Sequence, residues 1–71
     1  MKLHINGEEH SFDSPSPRTL TALVESLGMK PDRVAVELNR HIVPRERWSE
    51  TILNDGDRLE IVHFVGGGLT P

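Results

Sequence analysis

Helical spacing of apolar residues occurs once in this chain, at Leu20, Leu23, Val24 and Leu27. The spacing i, i+3, i+4, i+7 predicts one amphipathic helix of about two turns. The chain has 71 residues and no cysteine, so there is room for one modest core and no disulfide to strengthen it. The fold must therefore be stabilised by packing this one helix on a sheet.

The ends of the predicted helix are marked by residues that favour caps. Thr19 is the predicted N-cap, and Ser16 followed by Pro17 is an alternative start one turn earlier. Gly28 ends the helix in either case, and Pro31 prevents it from resuming.

The first part of the chain predicts a β-hairpin. Residues Lys2–Asn6 alternate between polar and apolar, and Asn6-Gly7 favours the positive-φ turn that leads to a second strand at Glu9–Phe12. Two prolines in Asp13–Pro17 exclude a strand there, so this stretch connects the hairpin to the helix.

Alternating spacing returns after the helix and predicts three further strands. These are Val34–Leu38, a short piece at Ile42-Val43, and the apolar stretch Leu59–Val65. Arg45–Trp48 is predicted to form one helical turn whose tryptophan packs on the core, and Asn54–Asp57 to form a tight turn. The predicted order is β-β-α-β-β-β, a mixed sheet packed on one helix in the α+β class.

The chain divides into a predicted domain, residues 1–65, and a glycine-rich tail, residues 66–71. Gly66, Gly67 and Gly68 lack side chains, so they can pass through a channel that is too narrow for other residues, and extended they reach roughly 10 Å. A glycine carboxylate at the end of such an arm is an unhindered acyl group. The alternative is an ordinary frayed terminus.

The last predicted strand has two faces. If Leu59, Ile61, His63 and Val65 face the helix, then Val62 and Phe64 lie on the open face of the sheet. An apolar patch beside the tail predicts a surface for docking a partner protein. The alternative is that the turn containing Trp48 covers both residues.

Composition argues against several classes of function. Eight basic and eleven acidic residues give a net charge of −3 with no basic block, which disfavours nucleic acid as a partner. No apolar run approaches the ~20 residues of a membrane span, so we expect a cytoplasmic protein. The segment Arg45-Glu46-Arg47 is interpreted as a solvated turn.

Residues that could perform catalysis or bind a metal are not grouped. His4, His10, His41 and His63 show no metal-ligand spacing, so no metal site is predicted. No nucleophile, base and orienting group occur together, which argues against an enzyme in its own right.

The sequence resembles the ThiS family, small sulfur carriers of thiamine biosynthesis with the β-grasp (ubiquitin-like) fold. The resemblance covers nearly the whole chain. The matching stretches are Asn6-Gly7, Thr19-Leu20, Val34–Asn39, Ile42–Trp48, Asp55-Gly56-Asp57 and Ile61–Gly68. The segments Ile42–Glu46 and Phe64–Gly68 are distinctive in combination, whereas Asp55-Gly56-Asp57 is shared by many β-grasp proteins.

The resemblance implies a carrier protein. A ThiF-like adenylating enzyme would activate the carboxylate of Gly68 with ATP-Mg, and sulfur would replace the adenylate to give a thiocarboxylate. Thiazole synthase would then receive the sulfur. Gly66 and Gly67 would thread into the partner, and the chain itself would bind no cofactor.

Here the chain departs from the family pattern, because Leu69-Thr70-Pro71 follow Gly68 and hold its carbonyl in an amide. We expect a processing peptidase to remove these three residues. Two alternatives remain: the small subunit of molybdopterin synthase, which also carries sulfur, and a β-grasp protein-binding module with an inert tail.

Overall fold

The structure, a computed structural model, describes residues 1–64. Its regular elements in that range are β1 Lys2–Ile5, β2 Glu8–Ser11, α1 Leu20–Ser26, β3 Val34–Leu38, β4 His41–Ile42 and β5 Arg58–His63. Two 3₁₀ helices, Pro31–Arg33 and Arg45–Glu50, lie in the connections.

The strands form one mixed sheet in the order β2-β1-β5-β3-β4. The last strand, β5, occupies the centre, where it runs parallel to β1 and antiparallel to β3. The predicted order of elements and the mixed sheet are confirmed. Helix α1 joins the first hairpin, β1–β2, to the second, β3–β4. Within residues 1–64, one hairpin lies on each side of β5.

Helix α1 begins at Leu20, so the alternative start at Ser16-Pro17 is wrong. Thr19 has an extended backbone, and its Oγ1 accepts a hydrogen bond of 3.1 Å from the N–H of Ala22. This hydroxyl satisfies one of the N–H groups that have no partner in the first turn of a helix.

The helix ends in a Schellman motif around Gly28, whose φ is +75°. The N–H of Gly28 donates to the carbonyl of Glu25, and the N–H of Met29 donates to that of Val24 at 3.1 Å. Only glycine adopts this left-handed conformation without strain, which explains the stop that the sequence predicts.

Replacing Thr19 with alanine should lower the free energy of unfolding by about 1 kcal/mol, because the cap hydrogen bond is lost. Urea unfolding followed by circular dichroism measures the change. Thr19→Ser is the matched control, since it keeps the hydroxyl, and it should lose less than half as much. Equal losses in the two variants would contradict the capping role.

The strand ends differ from the predicted ones by one or two residues, because turn geometry determines them. Asn6 and Gly7 have φ of 52° and 82°, so β1 ends at Ile5 and β2 begins at Glu8. A second turn of the same kind, Asn39-Arg40, moves β4 to His41–Ile42. Two positive-φ residues match the right-handed twist of the strands that they connect.

The core lies between the sheet and α1 and includes the tryptophan of the second 3₁₀ helix. Its buried residues are Leu3, Ile5, Leu20, Leu23, Val24, Val34, Val36, Trp48, Leu53, Leu59 and Ile61. His63 lies across from the buried Val34, on the same side of the sheet as Ile61, as predicted, but it is exposed. Helix α1 is about 10 Å long and β5 about 20 Å, so the helix cannot cover the whole strand.

Candidate functional site

The end of β5 is the point from which the glycine-rich segment continues. Phe64 N–H donates a 2.8 Å hydrogen bond to the carbonyl of Arg33, so pairing with the β3 side continues one residue beyond His63. Gly66, Gly67 and Gly68, with Leu69-Thr70-Pro71, lie outside the described residues, as does the predicted boundary at residue 65. The structure therefore describes the base of the tail and not the tail.

The other side of β5 is held by the side chain of Asn6. Its Nδ2 donates to the carbonyl of Ile61 at 3.1 Å, and its Oδ1 accepts from the N–H of Ile61 at 2.7 Å. The amide thus acts as a peptide group would, and it prolongs the pairing of β1 with β5 after the backbone of β1 has turned away. The base of the tail is fixed from both neighbouring strands.

Arg45 supports the 3₁₀ helix Pro31–Arg33, whose last residue accepts the hydrogen bond from Phe64. Its Nε donates to the carbonyl of Pro31 at 2.8 Å, its Nη2 donates to that of Val34 at 3.1 Å, and its guanidinium lies 5.5 Å from the ring centre of Trp48. Arg45, Glu46 and Arg47 are exposed, in agreement with a solvated turn, but the side chain of Arg45 also has a structural role that the sequence does not predict. Its side chain joins two connections that the sequence separates by more than ten residues.

The open face of the sheet, opposite α1, carries the predicted docking residues. Val62 is 58% exposed and lies across from Ala35 of β3, whereas Phe64 is half-buried. Trp48 is buried on the helix side, so its turn does not cover Val62. Ile42, which is 74% exposed, extends the apolar surface on the edge strand β4.

The remaining sequence candidates are dispersed. Within residues 1–64, no three side chains of histidine, aspartate or glutamate come close enough to hold a metal ion. The same range contains no helix that is long and apolar enough to cross a membrane.

Sequence reasoning missed the long-range contacts of Asn6, which binds β5, and of Arg45, which supports the turn beside it. Asn6 was assigned to a turn alone, and nothing in its sequence neighbourhood points to Ile61, which is 55 positions away. Arg45 did have a signal, because in a 3₁₀ helix residues i and i+3 lie directly above each other, and Trp48 is three positions later.

The chain is similar in fold and in sequence to several known proteins. A crystal structure of the thiamine biosynthesis protein ThiS from Geobacter metallireducens is 34% identical, has a TM-score of 0.82, and matches over 96% of this chain and 100% of that one. The sulfur carrier protein ThiS of Bacillus subtilis is 39% identical over 93% of this chain and 98% of its own length. The profile of the ThiS family matches residues 3–68.

A different kind of relative is much longer. The thiazole synthase of Magnetococcus marinus is 42% identical over the whole of this chain, but the chain spans only 21% of that protein's length. A second thiazole synthase, from Paramagnetospirillum magneticum, is 50% identical over 96% of this chain, which corresponds to 20% of its length.

A mixed sheet with a parallel central pair, packed on one helix, defines a β-grasp protein of the ubiquitin-like kind. Within that class, the chain belongs to the ThiS family.

Proposed function

We propose that this chain is a sulfur carrier of thiamine biosynthesis that bears sulfur as a thiocarboxylate on Gly68. The observation that supports this most directly is where the family match ends, because the ThiS profile aligns through residue 68 and includes all three glycines. The proposal makes the chain a substrate of partner enzymes and not a catalyst. The proposal also places the chain and the ATP-dependent enzymes that act on it in the cytoplasm.

The geometry at the base of the tail supports a carrier. Asn6 and Arg33 bind the last residues of β5 from opposite sides, so the point from which the tail continues is fixed on the domain. Three glycines add a reach of roughly 10 Å. A fixed base and a slim arm together bring an acyl end into another protein's active site while the domain stays outside.

The chemistry requires a free carboxylate on Gly68. A carboxylate resists nucleophiles because it is already anionic, so one of its oxygens first attacks the α-phosphorus of ATP, with Mg²⁺, in a ThiF-like partner and releases pyrophosphate. A persulfide of that partner then attacks the acyl carbon, AMP leaves, and an acyl disulfide forms. A thiol then attacks the partner's sulfur in the S–S bond, so that Gly68 keeps the other sulfur as a thiocarboxylate and the thiol ends in a disulfide with the partner. Gly68 is followed by Leu69, so a peptidase must hydrolyse that bond before the first step.

We propose thiazole synthase as the acceptor of the sulfur. The supporting observation is that two thiazole synthases contain a stretch similar to this chain as about a fifth of their length. Covalent linkage raises the effective concentration of one module at another, and it would help proteins that act in sequence. In this chain the same encounter would depend on docking, for which Val62 and Phe64 are the proposed residues.

Pyrophosphate release by an adenylating partner tests the proposal. The chain ending at Gly68, mixed with a ThiF-like enzyme and ATP-Mg, should release pyrophosphate in proportion to the carrier added. The chain that continues through Pro71 should release none above the background of the enzyme alone, because Gly68 is then an amide. The two forms differ only by three residues outside the described range 1–64, and circular dichroism of both checks that they are equally folded.

Three results would contradict the proposal. Absence of pyrophosphate from the form ending at Gly68 would indicate the binding module with an inert tail. Equal release from both forms would exclude Gly68 as the activated residue. Transfer of sulfur to a molybdopterin precursor, with none to thiazole synthase, would reject the thiamine branch.

A further inference from the structure

Two asparagines occupy the same place in the two hairpin turns, and both of them bind β5. Asn6 and Asn39 each begin a pair of residues with positive φ, at 52° and 50°. The amide of Asn6 binds Ile61, whereas the amide of Asn39 binds Arg58 at the start of the strand. We propose that Asn6, and not Asn39, is a positioning residue for the activation of Gly68. The proposal rests on the proposed function.

Asn6 makes the last hydrogen bonds between β5 and the β1 side within residues 1–64. Backbone pairing on this side ends where the N–H of Asn6 donates to the carbonyl of Leu59 at 2.9 Å. The side chain then binds both the N–H and the carbonyl of Ile61, two residues further along β5. Without this amide, the β1 side would hold β5 only as far as Leu59.

The β3 side holds the end of β5 through the backbone. Val34 pairs with His63, and the N–H of Phe64 donates to the carbonyl of Arg33 at 2.8 Å. His63 is exposed, so its side chain adds little packing to this end. A strand end that is exposed and bonded on one side opens more readily than one that is bonded on both sides. The amide of Asn6 therefore protects the pairing of Phe64.

Opening of this end would lengthen the tether between the domain and the acyl carbon of Gly68. Four residues follow Phe64 up to and including Gly68, whereas nine follow Leu59. The effective concentration of a tethered group falls roughly as the −3/2 power of tether length, so the longer tether lowers it about threefold. Greater freedom of direction lowers it further. Asn6 thus acts on the reaction through β5 and not by contact with the reacting atoms.

Asn39 has the same chemistry at the opposite end of β5. Its Oδ1 accepts a 3.0 Å hydrogen bond from the N–H of Arg58, and its Nδ2 donates to Asp57 at 3.1 Å. Loss of either asparagine side chain therefore removes two hydrogen bonds, but only the loss at Asn6 frees the end that leads to the tail. Glycine adopts positive φ without strain, so Asn→Gly is the same change in both turns.

The test compares Asn6→Gly with Asn39→Gly in the form ending at Gly68. Rapid-quench measurement of pyrophosphate in the first turnover, with a ThiF-like enzyme and ATP-Mg, gives the rate constant at saturating carrier and the half-saturating concentration. Asn6→Gly should lower the rate constant at least about threefold and change half-saturation less than about twofold, since the domain surface is retained. Asn39→Gly should match the parent chain in both values. Circular dichroism checks that both variants are folded at the temperature used.

A second variant and a second measurement separate positioning from stability. Asn6→Asp keeps the acceptor for the N–H of Ile61 but places a carboxylate oxygen against its carbonyl, so it should slow the reaction at least as much as Asn6→Gly. In both Asn6 variants the amide hydrogen of Phe64 should exchange with solvent at least about threefold faster than in Asn39→Gly. A merely structural role predicts instead that the rate constant follows the Tm across all three variants.

The outcomes distinguish the inference from the proposed function. If the parent chain supports release of pyrophosphate and the two glycine variants have equal rate constants, the inference is overturned and the carrier function stands. Equal exchange of the Phe64 amide in both would also overturn it. If the parent chain supports no release, the carrier function fails and the inference fails with it. Unfolding of both Asn6 variants would assign the amide to folding and reject the positioning role.

Discussion

Alanine in place of both Gly67 and Gly68, in the form ending at Gly68, should slow thiocarboxylate formation by at least about a hundredfold. A Cβ on each residue widens the arm just where it must pass into the partner's active site, and a misplacement of about 1 Å at a reacting group costs this much. The measurement is the rate at which intact mass spectrometry detects replacement of one carboxyl oxygen by sulfur. The adenylating enzyme, ATP-Mg and a sulfur donor are supplied in excess.

Gly66→Ala is the matched control for this experiment, because it adds the same methyl group two positions before the acyl carbon. We expect it to slow the reaction much less than the double change. All three glycines lie outside the described residues 1–64, and the Tm of each variant is measured to check that its domain is folded as in the parent chain. If the double variant accepts sulfur at the normal rate, the proposal that a tail without side chains delivers the acyl group is contradicted.

Trp48→Ala should cost about 3–5 kcal/mol of the free energy of unfolding. Trp48 is only 2% exposed, its Nε1 donates a 2.9 Å hydrogen bond to the carbonyl of Val43, and Arg45 stacks on its ring. A domain of this size has roughly 4–11 kcal/mol in total. The expected loss is therefore a large share of the total, and the urea midpoint of the variant should fall in proportion.

Trp48→Phe is the control, since it keeps a ring in the core and gives up the hydrogen bond, and it should cost about 1–2 kcal/mol. Urea unfolding is followed by far-ultraviolet circular dichroism, because the chain has a single tryptophan and both variants lose its fluorescence. A cost below 1 kcal/mol for the alanine variant would show that the 45–50 turn is not part of the core.

Local spacing was sufficient to predict most of the fold. The stripe at Leu20, Leu23 and Val24 is fully buried, and Thr19 and Gly28 end the helix as their chemistry requires. These features depend on neighbours within one or two turns. The strand ends were less accurate, because a pair of positive-φ residues such as Asn39-Arg40 decides where pairing stops.

Contacts between distant parts of the chain were not predictable from spacing. The bond from Asn6 to Ile61 depends on β5 lying beside β1, and the bond from Asn39 to Arg58 depends on β5 lying beside β3. The same applies to His63, whose exposure follows from the short length of the helix. The candidate site after β5 thus stays a prediction, while the contacts of Asn6 and Arg45 near it are visible only in the three-dimensional arrangement.

The central position of β5 in the sheet has a consequence for how the chain folds while the ribosome makes it. The two hairpins, β1–β2 and β3–β4, are joined in the sheet only by β5, which the ribosome makes last among the described strands. A nascent chain that stops before Arg58 cannot assemble the sheet, since its long-range pairings have no middle strand to close on. The base of the tail is therefore completed only when β5 pairs with β1 and β3, so it is among the last parts of the described fold to form.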